Sequence, residues 1–367
     1  MRLEKLTLYS FRNYETFESE FVPGVNLIVG DNAQGKTNLL EAITYLSTGR
    51  SFRTRKEQEL IRFGDDFCDL QARVEGKDRC QTIRAVMFQG RRQRQLFIGG
   101  VKQKKAAALQ GLMPTVLFCP EDLMILKTGA AGRRKLIDTA LCQLRPNYDT
   151  ALTEYTRLLE HKSRILKDWH EMPSLLDTLP EFNEQMARYG AVVIHTRAKY
   201  LRELEKQAGR FHGEFSGGRE ALTVEYQTVS NIEDPFAPME ELYGKLREHQ
   251  ESHYRAEVES GQCLSGPHKD DFSACLGGLP IKSYGSQGQT RTAAISLKLA
   301  ERELFRLDTG EEPILLLDDV LSELDAGRQN FVLNEIRSGQ VFITCCEKDR
   351  LTDIGQVITI EGGSLIK

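Results

Sequence analysis

The residues Gly30-Asp31-Asn32-Ala33-Gln34-Gly35-Lys36-Thr37 match the pattern G-x-x-x-x-G-K-[ST] at every fixed position. The mostly apolar run Val25–Val29 before them predicts a buried parallel strand, and apolar residues at helical spacing from Lys36 to Leu46 predict a helix after them. Such a loop turns successive backbone N–H groups toward one anion, and the helix start adds partial positive charge. We therefore expect it to bind nucleotide phosphates, with Lys36 on the β- and γ-phosphates and the Thr37 hydroxyl on Mg²⁺.

A second element lies far downstream, where the apolar run Pro313–Leu317 ends in the acids Asp318 and Asp319. P-loop sites hold Mg²⁺ with a carboxylate at such a strand end, so we assign Asp318 to the metal. Asp319 is expected to be the base or the water-orienting group, acting with Lys36 in catalysis. Two acids at a strand end are often only a solvated terminus, so both assignments depend on the upstream loop. Most proteins with this arrangement have a glutamate second, and the shorter Asp319 predicts slow hydrolysis.

The third element is Ser286-Gln287-Gly288-Gln289, which precedes a strong helical pattern from Ala293 to Leu307. A serine and a glycine at a helix start form an anion site, although a plain serine cap has the same sequence. One nucleotide hardly needs two phosphate cradles. Two protomers arranged head to tail do, because the helix start of one can close over the γ-phosphate bound by the other. The segment therefore predicts an ATP-dependent homodimer in which Ser286, Gln287, Gly288 and Gln289 act in trans.

The patterns along the chain predict an α/β fold interrupted by helices. Short alternating segments in residues 68–118 predict an antiparallel β-meander. Long helical patterns in residues 133–250 predict an inserted helical lobe. Strand and helix alternation then resumes, so we expect a head with a mixed sheet and a β-meander, built from residues 1–132 and 251–367.

Composition is that of an ordinary folded protein of 367 residues, with 40% hydrophobic and 28% charged residues and a mean hydropathy of -0.40. No apolar run approaches the ~18 residues of a membrane span, and the first residues do not form a signal-peptide core. We therefore expect a cytoplasmic protein with no membrane partner. The eight cysteines and seven histidines lack metal-ligand spacing, which favours buried thiols over zinc sites or disulfides.

The net charge of -4 would repel a nucleic-acid backbone, so DNA binding requires local basic patches. Basic clusters occur in residues 50–56, 91–105 and 133–135, and charge runs of this kind are usually solvated faces. We favour the second cluster, because a β-meander can present several cations on one surface. The residues expected to contact DNA are Arg91, Arg92, Arg94, Lys102, Lys104 and Lys105.

The segment at Ser286 resembles the signature sequence of ABC-type ATPases, and Leu321–Asp325 resembles their D-loop, with Ser322 and Asp325 as its site residues. A closer resemblance is to the RecF family of bacterial recombination mediators, which are related to the heads of structural-maintenance-of-chromosomes proteins. The stretches that carry it follow the family's order along nearly the whole chain: Phe11–Tyr14, Gly30–Glu41, Gly49–Arg53, Pro120–Leu123, Gly266–Asp271, Gly288–Thr292 and Leu317–Asp325.

The resemblance implies an ABC-type P-loop ATPase head with an inserted helical lobe, using ATP and Mg²⁺. It implies a weak DNA-dependent ATPase whose dimer binds gapped DNA or single-strand/double-strand junctions. It further implies cooperation with RecR and RecO and the loading of RecA during gap repair and replication restart, and association with the nucleoid when DNA is bound.

The resemblance also extends the expected nucleotide contacts. It places Arg12 and Asn13 near the base or ribose, and Glu121-Asp122 near the region that couples ATP to the helical lobe. The switch histidine of ABC proteins should follow Thr344, where this chain has Cys345, so γ-phosphate sensing must use another group. The ATP-binding residues are then Gly30, Asp31, Asn32, Ala33, Gln34, Gly35, Lys36, Thr37, Asn38, Arg12 and Asn13.

Three other classes of protein share part of this pattern. The nucleotide-binding subunit of a membrane transporter should have the switch histidine and a leucine before Ser286, where this chain has Gly285. A P-loop GTPase should show N-K-x-D, and the nearest string, His268-Lys269-Asp270-Asp271, lacks the asparagine. A purely structural chromosome-organising protein would need much longer heptad arrays.

Overall fold

The computed structural model describes residues 1–77, 80–90, 94–229, 232–346 and 355–366. The chain forms two compact units, one of Met1–Leu123 with Lys298–Lys367 and the other of Met124–Leu297. Both ends of the chain thus build the first unit, and the expected lobe of residues 133–250 lies within the second. The α/β class, with a mixed sheet, an antiparallel meander and a helical region, is confirmed.

The described residues contain fifteen strands: β1 (Arg2–Phe11), β2 (Tyr14–Glu20), β3 (Val25–Val29), β4 (Phe67–Glu75), β5 (Cys80–Phe88), β6 (Gln95–Ile98), β7 (Val101–Gln103), β8 (Thr115–Phe118), β9 (Leu222–Gln227), β10 (Asp271–Leu276), β11 (Leu279–Pro280), β12 (Ile314–Asp318), β13 (Val341–Cys345), β14 (Gly355–Glu361) and β15 (Ser364–Ile366). The α-helices of the same residues are α1 (Lys36–Thr48), α2 (Ala130–Leu144), α3 (Pro146–Asp168), α4 (Leu179–Ser216), α5 (Met239–Ser260), α6 (Ile281–Tyr284), α7 (Gln287–Thr309) and α8 (Ala326–Glu335). None of these helices combines the length and the apolar character that crossing a membrane requires.

Two six-stranded sheets form the first unit. The antiparallel meander has the order β2-β1-β4-β5-β6-β7, and the mixed sheet has the order β15-β14-β3-β13-β12-β8. In the mixed sheet β8, β12, β13, β3 and β14 pair in parallel, and β15 is antiparallel to β14. Parallel strands present their carboxyl ends at one edge, where α/β folds bind ligands.

Helix α1 is buried because it packs against strands of both sheets. Leu39, Leu40 and Ile43 of α1 share one hydrophobic core with Leu6 of the meander and Phe342 of the mixed sheet. A helix covered on both sides has apolar residues around most of its circumference. The nucleotide loop before α1 is thereby fixed to the core of the first unit.

A buried glutamine also joins the two sheets. Gln340 precedes β13 and is 1% exposed. Its Oε1 accepts a hydrogen bond from Leu3 N at 2.7 Å, and its Nε2 donates to the carbonyl oxygens of Leu3 and Val22 at 2.9 Å each. All polar atoms of the amide are therefore paired in the core, as burial requires.

The second unit packs helices α2 to α5 beside the three-stranded sheet β11-β10-β9. Buried polar side chains tie these helices together. Arg197 on α4 donates to both carboxylate oxygens of Asp138 on α2 at 2.8 Å. Lys162 on α3 and Glu257 on α5 form an ion pair of 2.6 Å that is almost completely buried. Removing one partner of such a pair leaves an uncompensated charge, so these contacts fix the helix arrangement.

The segment before β10 approaches α3 closely at Gly266. Gly266 has a φ of 120°, and a Cβ there would lie 2.2 Å from the Tyr155 hydroxyl. That hydroxyl lies 2.7 Å from His268 Nδ1, and His268 Nε2 lies 3.2 Å from the Cys263 carbonyl oxygen. Because a carbonyl only accepts, Nε2 carries the proton and Nδ1 accepts from Tyr155. Burial lowers the pKa of His268 to about 4.

We predict that His268 makes the fold labile to acid. The unfolded chain binds a proton at His268 below pH ~6.5, whereas the folded chain does so only near its lower pKa of about 4. Stability is therefore unaffected above pH ~6.5 and falls as the pH drops toward 4, by at most about 1.4 kcal/mol per pH unit. His268→Gln keeps one acceptor and one donor, so its urea midpoint should change less between pH 7 and pH 5 than that of the wild type.

The control is His170→Gln, at an exposed position after α3. It should retain the wild-type dependence on pH. Equal pH dependence of the wild type and His268→Gln would contradict the assignment.

Candidate nucleotide site and signature helix

The loop Gly30–Thr37 connects β3 to α1 through close backbone contacts. Gly35 has a φ of 118°, in the left-handed region that glycine adopts without strain. A Cβ at Gly35 would lie 2.7 Å from Asn13 Nδ2, and one at Gly30 would lie 2.3 Å from the Ile360 carbonyl oxygen. Neighbouring atoms therefore require both glycines of the motif.

Side chains from the β1–β2 turn and from α1 hold this loop. Asn13 Nδ2 donates a hydrogen bond to the Gln34 carbonyl oxygen at 2.9 Å, and Asn38 Nδ2 donates to Asn13 Oδ1 at 2.8 Å. The Tyr14 hydroxyl donates to the Gly35 carbonyl oxygen at 2.9 Å. Asn13 and Asn38, both expected at the nucleotide, thus support the backbone that would bind it.

The Lys36 ammonium group lies within the loop, and the residue is only 7% exposed. It donates to the carbonyl oxygens of Gly30 and Asp31 at 2.5 and 2.9 Å and to Cys346 Sγ at 3.2 Å. Cys346 Sγ in turn lies 3.0 Å from Asn32 Oδ1. A triphosphate bound to Lys36 would replace some of these contacts, and sulfur is the weakest acceptor among them.

The end of β12 brings a carboxylate to Thr37. Asp318 Oδ1 accepts hydrogen bonds from the hydroxyls of Thr37 and Thr344, each at 2.9 Å. Burial raises the pKa of Asp318, the two hydroxyls oppose that shift, and the negative charges of Asp319 and Glu121 add to it. A cation beside Asp318 would offset this buried charge.

These oxygen donors fit Mg²⁺. A carboxylate and a hydroxyl are hard ligands, and Mg²⁺ usually completes its octahedron with waters and substrate phosphates. Among the described residues there is no group of three or more His, Cys, Asp or Glu side chains able to hold a metal ion. Thr37 and Asp318 are thus suited to hold Mg²⁺ together with a nucleotide, and not within a cage made of protein alone.

The backbone at Asp319 is strained and fixed on both sides. Its φ is 53°, which is uncommon for a residue other than glycine. Asp319 N donates to Thr344 Oγ1 at 2.8 Å, and the Asp319 carbonyl oxygen accepts from the Ser322 hydroxyl at 2.7 Å. Asp325 caps α8 by accepting from Arg328 N at 3.0 Å. Of the two expected D-loop residues, Ser322 therefore contacts the acidic strand end and Asp325 starts the next helix.

Arg12 forms an ion pair with a buried acid. Its Nε and Nη2 donate to the two carboxylate oxygens of Glu41 at 2.8 and 2.7 Å, and Glu41 is completely buried. Its Nη1 donates to the Glu59 carbonyl oxygen at 2.7 Å. Arg12 also lines a cavity of about 750 Å³, together with Asn13 and Asn38. The guanidinium charge is thus matched within the fold, and the cavity adjoins Asn13, whose side chain holds the loop.

The signature segment begins α7. Ser286 Oγ accepts a hydrogen bond from Gln289 N at 3.2 Å, and Gln289 Oε1 accepts one from Ser286 N at 2.9 Å. This reciprocal pair is a capping box. The Ser286 oxygen acts as an acceptor here, so its O–H proton can still be donated to an anion. Ser286 and Gln287 are exposed, and Gly288 is half-buried.

The basic residues expected to bind DNA are in different environments. Arg91 and Arg92 lie outside the described residues. Arg94 donates to the Gly49 carbonyl oxygen at 2.6 Å and forms an ion pair with Glu57. Arg94 is therefore held by the fold, and it also lines the cavity described next.

Lys102, Lys104 and Lys105 are exposed on the meander side of the first unit. Lys102 and Lys104 line an open cavity of about 1510 Å³ together with Arg55 and Lys56. The structure therefore brings parts of two basic clusters, which are separate in the sequence, to one groove.

Three residues of the site were missed by sequence reasoning. Glu41 is a fully buried acid in α1, and its apolar neighbours Leu40 and Ala42 were a signal that it needs a buried cation. Cys346 contacts Lys36, one residue beyond the expected switch position. Glu220 Oε1 accepts a hydrogen bond from Gln289 Nε2 at 2.7 Å, and no pattern in the sequence indicated this pair.

Comparison with known proteins gives a consistent result. The family model for the RecF/RecN/SMC N terminal domain matches residues 2–363. DNA replication and repair protein RecF of Agathobacter rectalis is 40% identical over 349 residues, covering 95% of this chain and 93% of that protein. The protein of the same name from Clostridium kluyveri is 35% identical, covering 100% of this chain and 99% of its own.

Solved structures agree with these relatives. The recombination mediator protein RecF in the RecFOR pathway, solved as RecF-ATPrS, superposes with a TM-score of 0.92 at 35% identity, covering 99% of this chain and 97% of that one. The RecF-ATP structure gives a TM-score of 0.91 at 35% identity, covering 100% and 97%. An Smc head domain from Pyrococcus furiosus has a TM-score of 0.56 at 15% identity over 99% and 94% of the chains, and shares the fold alone.

We predict that a nucleotide shields Cys346 from alkylation. The exposed thiol is within 3.2 Å of the Lys36 ammonium group, so a triphosphate on Lys36 would cover it. N-ethylmaleimide labelling of Cys346, followed by peptide mass spectrometry, should slow several-fold in Mg-ATP. Cys80, which is also exposed, is the internal control and should react at the same rate with and without nucleotide. An unchanged Cys346 rate would contradict the geometry.

Proposed function

The chain belongs to the RecF family, and on that premise we propose that ATP closes a head-to-tail homodimer on gapped or junction DNA and that slow hydrolysis reopens it. The chain is an ATP-binding recombination mediator of RecF type. One observation carries the proposed cycle. The first unit holds Lys36, Thr37 and Asp318, whereas the exposed signature serine, Ser286, lies in the second.

ATP binding uses the loop and the cavity beside it. Backbone N–H groups of Gly30–Thr37 and the Lys36 ammonium hold the phosphates, which displace the thiol contact of Lys36. The cavity bounded by Arg12 and Asn13 takes the base and ribose. Thr37 and Asp318 hold Mg²⁺, which neutralises phosphate charge when bound.

Hydrolysis depends on Asp319, which lies at the end of β12 beside the metal ligand Asp318. Its carboxylate orients the attacking water, and its short side chain favours a slow reaction. The Ser322 hydroxyl donates to the Asp319 carbonyl oxygen at 2.7 Å. A contact made by the D-loop across the dimer would therefore reach Asp319 directly, which provides a route by which DNA-driven closure regulates a weak, DNA-dependent ATPase.

Dimer closure completes the γ-phosphate site in trans. The hydroxyl of Ser286 of the partner subunit donates to the γ-phosphate, and the start of the same helix adds the positive end of its dipole. ATP then becomes part of the interface. Loss of the γ-phosphate removes these contacts and releases the dimer.

DNA binding uses the basic groove formed by Arg55, Lys56, Lys102 and Lys104, with Lys105 at its edge. These cations lie on one surface of a chain whose net charge is -4. Phosphate contacts of this kind give affinity that is independent of sequence and sensitive to salt. A dimer presents two such grooves, one from each protomer, and can therefore contact the DNA on both sides of a gap or junction.

The partners and the cellular location are proposed from the family. We propose that RecR and RecO act with this protein, that the complex supports RecA loading, and that the protein is cytoplasmic and joins the nucleoid when it binds DNA. The transporter alternative is not favoured, because RecF proteins match nearly the whole chain.

The first test is the ATP-dependent dimer. Ser286→Arg removes the hydroxyl and places a bulky side chain where the γ-phosphate must approach, so sedimentation should show a monomer in ATP while each monomer still binds nucleotide. Lys36→Ala should lose both nucleotide binding and dimerisation in ATP. Ser260→Arg, at an exposed serine that ends α5, is the matched control and should dimerise. A wild type that remains monomeric in ATP at micromolar concentration would refute the cycle.

The second test is the basic groove. Lys102→Glu with Lys104→Glu should weaken binding of gapped DNA at least ~10-fold, and should reduce the slope of log K against log salt by roughly 2. The matched control is Lys206→Glu with Lys245→Glu, two exposed lysines of the second unit. Fluorescence anisotropy at several salt concentrations measures both properties. If both double variants lose affinity equally, the groove is not the DNA site.

A further inference from the structure

The side-chain amide of Gln289 makes two hydrogen bonds, one through its oxygen and one through its NH₂ group. Its Oε1 accepts from Ser286 N at 2.9 Å, and its Nε2 donates to Glu220 Oε1 at 2.7 Å. A carboxylate only accepts, so Glu220 must face the amide NH₂ group. The amide oxygen then faces Ser286 N. Glu220 therefore sets the orientation of the amide that completes the capping box.

Glu220 is itself held in place. It lies between the end of α4 and the start of β9, and its Oε2 is 3.3 Å from His212 Nε2 on α4. His212 is completely buried. The hydrogen bond from Gln289 and the one from His212 both lower the pKa of Glu220, so the side chain is a carboxylate at neutral pH. The carboxylate thus connects the long helix of the lobe to the first turn of α7.

We propose that Glu220 is a positioning residue for the signature serine: by fixing the Gln289 amide, it holds the capping box that aims the Ser286 hydroxyl at the γ-phosphate bound by the partner subunit. This inference depends on the proposed trans dimer. Glu220 acts through Gln289, and not directly on the nucleotide or the metal. A displacement of α4 would reach Ser286 through His212, Glu220 and Gln289, which gives the lobe a direct route to the signature.

Charge reversal at Glu220 tests the amide orientation. Glu220→Lys presents a donor, which turns the Gln289 oxygen away from Ser286 and leaves the amide NH₂ facing Ser286 N–H. The capping box then fails. We expect the dissociation constant of the ATP-bound dimer to rise at least ~10-fold, as for the loss of a charge-assisted hydrogen bond, while the monomer binds nucleotide as the wild type does. Glu214→Lys, on the exposed surface of α4, is the matched control and should dimerise normally.

A paired exchange separates positioning from a general structural role. Gln289→Glu alone sets two carboxylates against each other and should weaken dimerisation. Adding Glu220→Gln restores a donor and acceptor pair, and a glutamate at the third helical position still completes a capping box. The double variant should therefore dimerise more tightly than Gln289→Glu alone, a coupling that independent sites do not show. A double variant no better than the single one overturns the proposal.

Hydrogen exchange tests the role of Glu220 in the monomer, independently of dimerisation. In the nucleotide-free monomer, Glu220→Lys should speed amide exchange in residues 286–290 and leave α1 unchanged. A wild type that does not dimerise in ATP refutes the proposed function. Normal dimerisation and unchanged exchange in Glu220→Lys, beside a wild type that dimerises, refute this inference alone.

Discussion

The hydrogen bond between the Thr37 hydroxyl and the Asp318 carboxylate is the contact on which the nucleotide site depends. It joins the first turn of α1 to the end of β12, across 281 positions of sequence. Three neighbouring parallel strands make it possible, because β3, β13 and β12 end at the same edge of the mixed sheet. Thr344 at that edge donates to the same Asp318 oxygen and accepts from Asp319 N. Thr344 thus holds both acids, and Thr37 connects Asp318 to the loop.

This arrangement is unfavourable in isolation and is held by its surroundings. Asp318 carries a raised pKa because it is buried, Asp319 has a strained backbone, and Lys36 is packed among carbonyl groups. Each feature costs folding free energy that the core around α1 must offset. Sites that bind charged ligands commonly conflict with local stability in this way. Bound phosphate and metal would remove much of the conflict, so ligand binding and stability of the first unit should be coupled.

Sequence reasoning predicted the elements whose structure a local pattern determines. It did not predict the contacts that depend on a partner far away in the sequence. The loop and strand periodicities sufficed for β3, α1 and β12, and helical spacing indicated the helices of residues 133–250. Those patterns did not fix where each helix ends, and α4 continues to Ser216 because Phe211 and His212 are buried and outweigh the flanking Gly209 and Gly213. Arg12, which we expect near the base or ribose, also binds Glu41, a contact that no local pattern indicated. Its two hydrogen bonds to that carboxylate span 29 positions of sequence, a distance that spacing alone cannot reveal.

The matched charge of Arg12 bears on why the proposed cycle uses a second subunit. Glu41 accepts from Arg12 and lies 3.5 Å from Arg53, so a buried acid balances the cations beside the loop before any nucleotide arrives. In the proposed site, Lys36 and Mg²⁺ act on the β- and γ-phosphates from the side of the loop, which leaves the opposite side of the γ-phosphate for the partner subunit. A helix start with a free serine proton supplies positive potential without a further buried charge. The exposed capping box at Ser286 presents such a group, and in the proposed dimer it completes the charge balance of the nucleotide bound by the partner subunit.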